Sequence, residues 1–207
     1  MYGKAVYILL FVVVFSSGIN AQSNIDDKNW GKLGGSYASF GSNNVICFQA
    51  LDGAASYNSK YFYVLGLNYL YPINRIGIET GLEYAKHTIT VQANVYPGKP
   101  DYEGEFTLLE IPLSVRINFL KYFYINPGFV VDFDVSKSSP VDNQTGIGAL
   151  LGVGAKYDFN FGFSVFVNPY FKVHTLIPFT SNNYQEHLIE AGIRMGLYYE
   201  LKHKTNK

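Results

Sequence analysis

The sequence of 207 residues carries 16 Lys and Arg against 16 Asp and Glu, a formal net charge of +0, which excludes a nucleic-acid binder of the ordinary basic kind. A single cysteine, Cys47, excludes an intramolecular disulfide and is expected to be a free structural thiol. Charged residues make up only 15% and aromatic residues 17%, with 18 Tyr and 16 Phe but 1 Trp, a balance that fits a lipid-facing band with interfacial rings better than an aromatic-rich soluble sandwich.

Residues 1–21 have the form of a secretory signal peptide. A short start with Lys4 precedes an apolar run over 5–19, and Asn20-Ala21-Gln22 supplies a small residue before the cut. Residues 22–31 are a polar lead-in. The mature sequence contains no second long apolar run, so it offers no transmembrane helix, and an exported chain of this kind enters a membrane as a closed barrel.

Eight strands are predicted between residues 32 and 201. The first, 32–43, is rich in Gly and Ser, and a connection over 44–59 leads to the second, 60–71, with Tyr61, Tyr63, Leu65, Leu67, Tyr69 and Tyr71 on one face. Pro72-Ile73-Asn74-Arg75 turns the chain into the third strand, 76–91, where Ile76, Ile78, Leu82 and Tyr84 oppose Gly77, Glu79, Gly81 and Glu83. A loop with Pro97-Gly98-Lys99-Pro100 follows. The fourth strand, 106–119, alternates without exception from Leu109: Leu109, Ile111, Leu113, Val115, Ile117 and Phe119 are apolar, against Glu110, Pro112, Ser114, Arg116 and Asn118. After the tight turn Leu120-Lys121 comes the fifth strand, 122–135, then a loop over 136–144. The sixth strand, 145–157, places Gly146, Gly148, Gly152, Gly154 and Lys156 on its inner face; Asp158-Phe159-Asn160 turns into the seventh, 161–175; a loop over 176–185 precedes the eighth, 186–201, and 202–207 is a polar tail.

Two regularities point to a membrane barrel. Connections alternate long and short along the chain, as in barrels with long external loops and tight periplasmic turns. Large rings also gather beside the short turns: Tyr69, Tyr71, Phe119, Phe123, Tyr157, Phe161, Phe163 and Tyr199, the arrangement of an interfacial girdle. The expected fold is therefore all-β, an eight-stranded antiparallel transmembrane β-barrel. Pro112, Pro127 and Pro169 fall inside predicted strands, and a bulge or strand end is expected near each.

Leu109-Glu110-Ile111-Pro112-Leu113 with its following alternation and short aromatic turn, the signal ending Asn20-Ala21-Gln22, the Gly34-Gly35 start, and Gly152-Val153-Gly154-Ala155-Lys156-Tyr157 before a tight turn together resemble the PorT-like family of outer-membrane β-barrel proteins. The resemblance implies a barrel in the outer membrane of a Gram-negative envelope. The family's named member is associated with protein secretion, and no functional residue is carried over.

The inward face collects Glu79, Glu83, Glu110, Arg116, Asp132, Lys156, Lys172, Glu190 and Arg194. In so narrow a ring these mixed charges are expected to pair across the lumen and plug it, with Arg116 and Asp132 on neighbouring strands as the first expected pair. The inner glycines of the sixth strand are expected to leave room for Phe62, Tyr124, Phe166 and Tyr170. His87, His174 and His187 lie near the loop ends of their strands and Ser181 between the last two, but parity turns His174 inward and His187 outward, and no spacing of the His-Glu-x-x-His kind occurs. No catalytic residue, cofactor or metal ligand is assigned. The expected role is a non-catalytic structural or binding barrel, monomeric and surrounded by outer-membrane lipid, or an accessory to secretion or envelope assembly. A protein partner would meet loop residues such as Tyr96, Pro97, Tyr102 and Tyr184. A lipid-modifying enzyme built on Ser181 and a histidine, and a narrow pore, are the alternatives.

Overall fold

A computed structural model describes residues 29–48, 56–92, 101–119, 121–180 and 184–202. The expected signal peptide, most of the lead-in, the tail beyond residue 202, and the loop residues Tyr96, Pro97 and Ser181 lie outside the described residues. Nine strands follow in order: β1 (Asn29–Cys47), β2 (Ser56–Ile73), β3 (Ile76–Gln92), β4 (Tyr102–Phe119), β5 (Phe123–Ile125), β6 (Gly128–Asp134), β7 (Gly146–Asp158), β8 (Phe163–Pro178) and β9 (Glu186–Lys202). Every pairing is antiparallel, and β1 closes on β9. Because β5 and β6 both lie between β4 and β7, they form one stave, and the sheet is a ring of eight staves. No helix occurs among the described residues.

The prolines are accommodated in two ways. Pro127 breaks a stave into β5 and β6, yet its carbonyl still accepts from the Val115 amide at 2.9 Å. Pro112 and Pro169 end nothing. Each strand runs through in register, and the ladder loses two pairs beside each proline, where the missing N–H leaves nothing to donate. At Pro112 the carbonyl accepts from the Thr80 hydroxyl at 2.9 Å. The true bulges lie elsewhere: between Ser39 and Ser42, with Phe40 at φ 56, between Ser59 and Tyr61, opposite Ile147–Ala149, with Thr175 at φ 55, and between Asn29 and Lys32, with Gly31 at φ 89. The first of these explains why β1 runs on to Cys47 rather than ending at residue 43: the bulge re-registers the Gly- and Ser-rich segment on β9, and pairing continues to Cys47↔Glu186, while at the other end Asn29 pairs with Lys202. Residues 29–31 thus belong to the barrel rather than the lead-in. The two-residue turn after β2 is closed by Asn74 at φ 56, a left-handed conformation that asparagine tolerates.

The alternation read in the sequence sets the two surfaces. Along β4, Glu110, Pro112, Ser114 and Arg116 are buried, while Ile111, Leu113, Val115, Ile117 and Phe119 are exposed. The whole ring is inverted relative to a soluble protein, with apolar groups outside and ionic groups inside. Outward ion pairs Lys86–Glu105 and Lys60–Glu103 mark where the apolar surface stops on the loop side. On β4 that leaves residues 109–119 as the apolar stretch, close to the ~9–11 residues a tilted strand needs to cross a bilayer. At the short-turn end a continuous chain of ring contacts runs Tyr122, Tyr157, Phe159, Phe161, Phe163, Tyr199, with centroids 4.9–6.1 Å apart.

Small and large residues interlock inside; of the sixth predicted strand's glycines, Gly154 takes one of the expected rings, while Phe62 and Phe166 fit against glycines of β9. A Cβ on Gly154 would lie 2.3 Å from the Tyr124 ring; one on Gly196 would meet Phe166, and one on Gly192 would meet Phe62. Gly152 faces Asn126 and Asn168, which bond each other at 3.0 Å. Gly154→Ala is expected to cost about 1–3 kcal/mol through overpacking. Truncating the ring in the double variant Gly154→Ala/Tyr124→Leu should make the alanine's added cost smaller than in the parent, as read by urea titration of the heat-modifiable band.

Candidate functional site

The interior is built from in-register rows. Glu83 on β3, Glu110 on β4 and Asp132 on β6 are direct cross-strand partners, so three carboxylates stand side by side on adjoining staves, an arrangement that repels unless a cation is supplied. Lys172 supplies it from β8, on the far side of the ring, with its Nζ 2.8 Å from Glu83 and 2.6 Å from Glu110. Arg194 on β9 spans to the same wall, donating to Glu83 at 3.2 Å, to Glu79 at 3.0 Å and to Asn168 at 3.3 Å.

Nearer the short turns, Arg116 donates twice to Glu79 Oε2, at 2.9 and 2.6 Å. Its guanidinium lies 4.1 Å from the Tyr124 ring centroid, 5.2 Å from Tyr198 and 5.5 Å from Phe166, so aromatic faces take the positive charge where carboxylates do not reach. The expected Arg116–Asp132 pair does not form. Asp132 instead meets His174 Nδ1 at 3.0 Å, and Arg116 takes its neighbour on the other side, Glu79 on β3. Lys156 also departs from the expected lumen set. It sits at the short-turn mouth and pairs with Asp158 at 3.0 Å, while the other eight residues are buried in the interior.

Toward the loops, His87 is held in register between Phe62 and Phe106 and stacks on both, with centroids 5.7 and 5.0 Å away. Its Nε2 is 3.3 Å from Glu190 Oε2, and Glu190 Oε1 accepts from the Tyr170 hydroxyl at 2.5 Å. Above this layer Ile89, Leu108, Val141 and Leu188 are buried together. The β6–β7 loop folds in over them. Gln144 is fully buried, its Nε2 donates to the carbonyls of Asp142 and Glu186 at 2.8 Å each, and its Oε1 accepts from the Leu188 amide at 3.1 Å. His187 stands apart, its ring 4.5 Å from Phe48.

Parity alone located the buried acids and bases. It also turned Tyr170 and His174 inward, but the join between His87, Glu110 and Glu190 needs the closed ring, since Glu190 comes from β9 while His87 and Glu110 lie on the paired strands β3 and β4. Gln144 carried no signal, because nothing in a Ser-rich polar loop distinguishes a plug from a solvated turn. Cys47 is a free thiol at the loop end of β1. Of the expected partner-facing loop residues, Tyr102 and Tyr184 are exposed.

The short-turn mouth is a polar recess of about 80 Å³ bordered by Lys32, Asn74, Lys156 and Asp158. Lys32 on β1 reaches over β9 to Asp158 at 2.7 Å and Ser164 at 2.9 Å. Asp158 lies on the water side of the Tyr157 ring. Burial pushes its carboxyl up, but hydrogen bonds from Lys32, Ser164 and Lys156 outweigh that and hold it below the ordinary carboxylate range.

No family model matches this chain and no curated protein matches it, so the PorT-like resemblance rests on the sequence motifs alone. Among solved structures, the chain is similar to the outer membrane protein OprG from Pseudomonas aeruginosa, at 15% identity over 86% of this chain and 99% of that one, with a TM-score of 0.45. It is also similar to the translocator domain of the autotransporter NalP from Neisseria meningitidis, at 8% identity over 96% of each chain, with a TM-score of 0.37. These likenesses assign no activity; the barrel is established by its own strand pairings.

Two predictions follow from the network's geometry. Arg116→Met should destabilise the barrel by about 3–5 kcal/mol, because it strands part of the buried negative charge, and adding Glu79→Gln should recover part of that loss in urea unfolding followed by gel shift. The Asp158 contribution carries the sign of a depressed carboxyl: it is present in full above the unfolded-state value of about 4 and disappears as pH falls through the lower folded value. Asp158→Asn should therefore lower the unfolding midpoint at pH 7, by no more than about 1 kcal/mol for so exposed a pair, and the gap from the parent should shrink on acidification.

Proposed function

We propose that this protein is a non-catalytic outer-membrane β-barrel with a sealed lumen, serving a structural or binding role or as an accessory to secretion or envelope assembly. The observation that carries the reading is the inverted ring: a continuous apolar exterior edged by an aromatic girdle, around an interior closed by ion pairs and by Gln144. A soluble protein has no use for that exterior, and a pore has no use for that interior. The narrower assignment to secretion draws only on the PorT-like motifs around Leu109-Glu110-Ile111-Pro112-Leu113. With the lumen filled, a partner would dock on the loop rim, where Tyr102 and Tyr184 are exposed.

The lipid-modifying alternative is less well supported. It needs a histidine beside Ser181 outside the wall, and His174, one of the two flanking candidates, is buried inside the lumen against Asp132.

Extracted from outer-membrane fractions in detergent, the protein should migrate differently with and without boiling and should give no unitary conductance steps in planar bilayers. Recovery in a soluble fraction without a boiling shift would overturn the membrane reading. Reproducible steps from the heat-modifiable species would overturn the sealed lumen and favour the narrow pore.

A further inference from the structure

Among the described residues, five buried carboxylates (Glu79, Glu83, Glu110, Asp132 and Glu190) face three buried permanent cations, Arg116, Lys172 and Arg194. The interior therefore carries an excess of two negative charges before either buried imidazole binds a proton, and unpaired charge in such a place is costly.

Four of the buried side-chain atoms without a hydrogen-bond partner belong to three residues that stand together. Glu110 spends Oε2 on Lys172 and leaves Oε1 without a hydrogen bond; Glu190 spends Oε1 on Tyr170 and leaves Oε2 without one; His87 makes no hydrogen bond with either ring nitrogen, its Nε2 only approaching Glu190 Oε2 at 3.3 Å. One ligand atom from each of these three residues lies within 4.8 Å of the others, and all three side chains are buried. A second set, Glu110, Asp132 and His174, shares Glu110, but there Asp132 and His174 already bond each other.

We propose that His87, Glu110 and Glu190 bind one divalent transition-metal ion of the zinc class within the barrel. One imidazole nitrogen with two carboxylate oxygens is a donor set such ions accept. A charge of +2 with both imidazoles neutral brings the buried excess to zero. The surroundings are those of an oriented ligand set: Lys172 and Tyr170 fix the two carboxylates through their other oxygens, and the Phe62 and Phe106 rings clamp the imidazole plane. Under the Gln144 loop the ion is enclosed, so it enters as the barrel closes and leaves slowly. The site is independent of the membrane reading, since it depends only on ring closure.

The test uses the full barrel without a polyhistidine tag, unfolded in urea with EDTA, refolded into detergent with excess zinc chloride, desalted, and assayed for metal by mass spectrometry. The expected result is one zinc retained per barrel. Glu190→Gln and His87→Ala should each weaken retention at least about tenfold, the scale on which site residues act, while His187→Ala leaves it unchanged. The boiling shift identifies folded variants, and Glu190→Gln keeps the side-chain shape should His87→Ala fail to fold. Refolding with cobalt chloride should give visible absorption bands that Glu190→Gln removes. A folded parent that retains no zinc would overturn the proposal and leave the excess charge to protons, and zinc retained equally by folded Glu190→Gln would overturn it as well.

Discussion

A ring of eight staves has an interior just wide enough for its own side chains to fill, and this constraint governs everything inside it. The alternation that gives the outside its apolar surface sends every other side chain inward, polar groups included, so Glu83, Glu110 and Asp132 arrive as a row of like charges on adjoining staves. Desolvated together, they are tolerable only if cations reach them from the opposite wall. Lys172 and Arg194 do so, and in doing so they tie β8 and β9 to β3 and β4 across the axis. The network is thus a set of cross-braces as well as a plug. Its net contribution to stability is modest, because the attraction mostly offsets desolvation, while its effect on shape is large, since loss of any one brace strands a charge.

The two ends of the barrel differ in kind. At the short-turn end the mouth is a shallow recess crossed by Lys32 and Asp158, and the aromatic contacts form a band just beneath it. At the loop end the strands continue past the apolar zone, carry the outward pairs Lys86–Glu105 and Lys60–Glu103, and are roofed by Val141 and Gln144. A chain organised in this way offers other molecules its outer wall and its loop rim rather than its axis.

How far the sequence could be read follows from the range of each interaction. Strand identity, the inward and outward faces and the aromatic band are properties of period two and of turn chemistry, both local, and all were legible around Leu109–Phe119 and Tyr157–Phe163. Partner choice was not. An acid and a base of matching parity on adjacent strands, Arg116 and Asp132, looked like a pair, but residues inside a ring also choose among the staves across the axis and on the other flank, and Glu79 and His174 won. The prolines misled for a related reason. Pro112 and Pro169 were read as strand breakers, yet losing two pairs of a ladder costs little when the neighbouring strand keeps full register. The β1 bulge, with Phe40 rather than glycine at positive φ, left no mark in the pattern.

The braces also bear on how the ring finds its register. Arg194 and Glu79 are 115 residues apart, Lys172 and Glu83 are 89, and Lys32 and Asp158 are 126. None of these contacts exists until distant strands have been brought round, and the seam between β1 and β9 is the last closure the chain order permits. A slip of one residue at that seam would turn Arg194 outward and carry Ile193 or Met195 inward, leaving Glu79 and Glu83 buried without their shared cation. Hairpins alone cannot detect such an error, because each short turn fixes only the two strands it joins. The lumen can, since its cations meet their carboxylates only when all eight staves stand in one register. In that sense the ionic interior, a poor source of stability, is a good source of specificity: it penalises the wrong closure more than it rewards the right one.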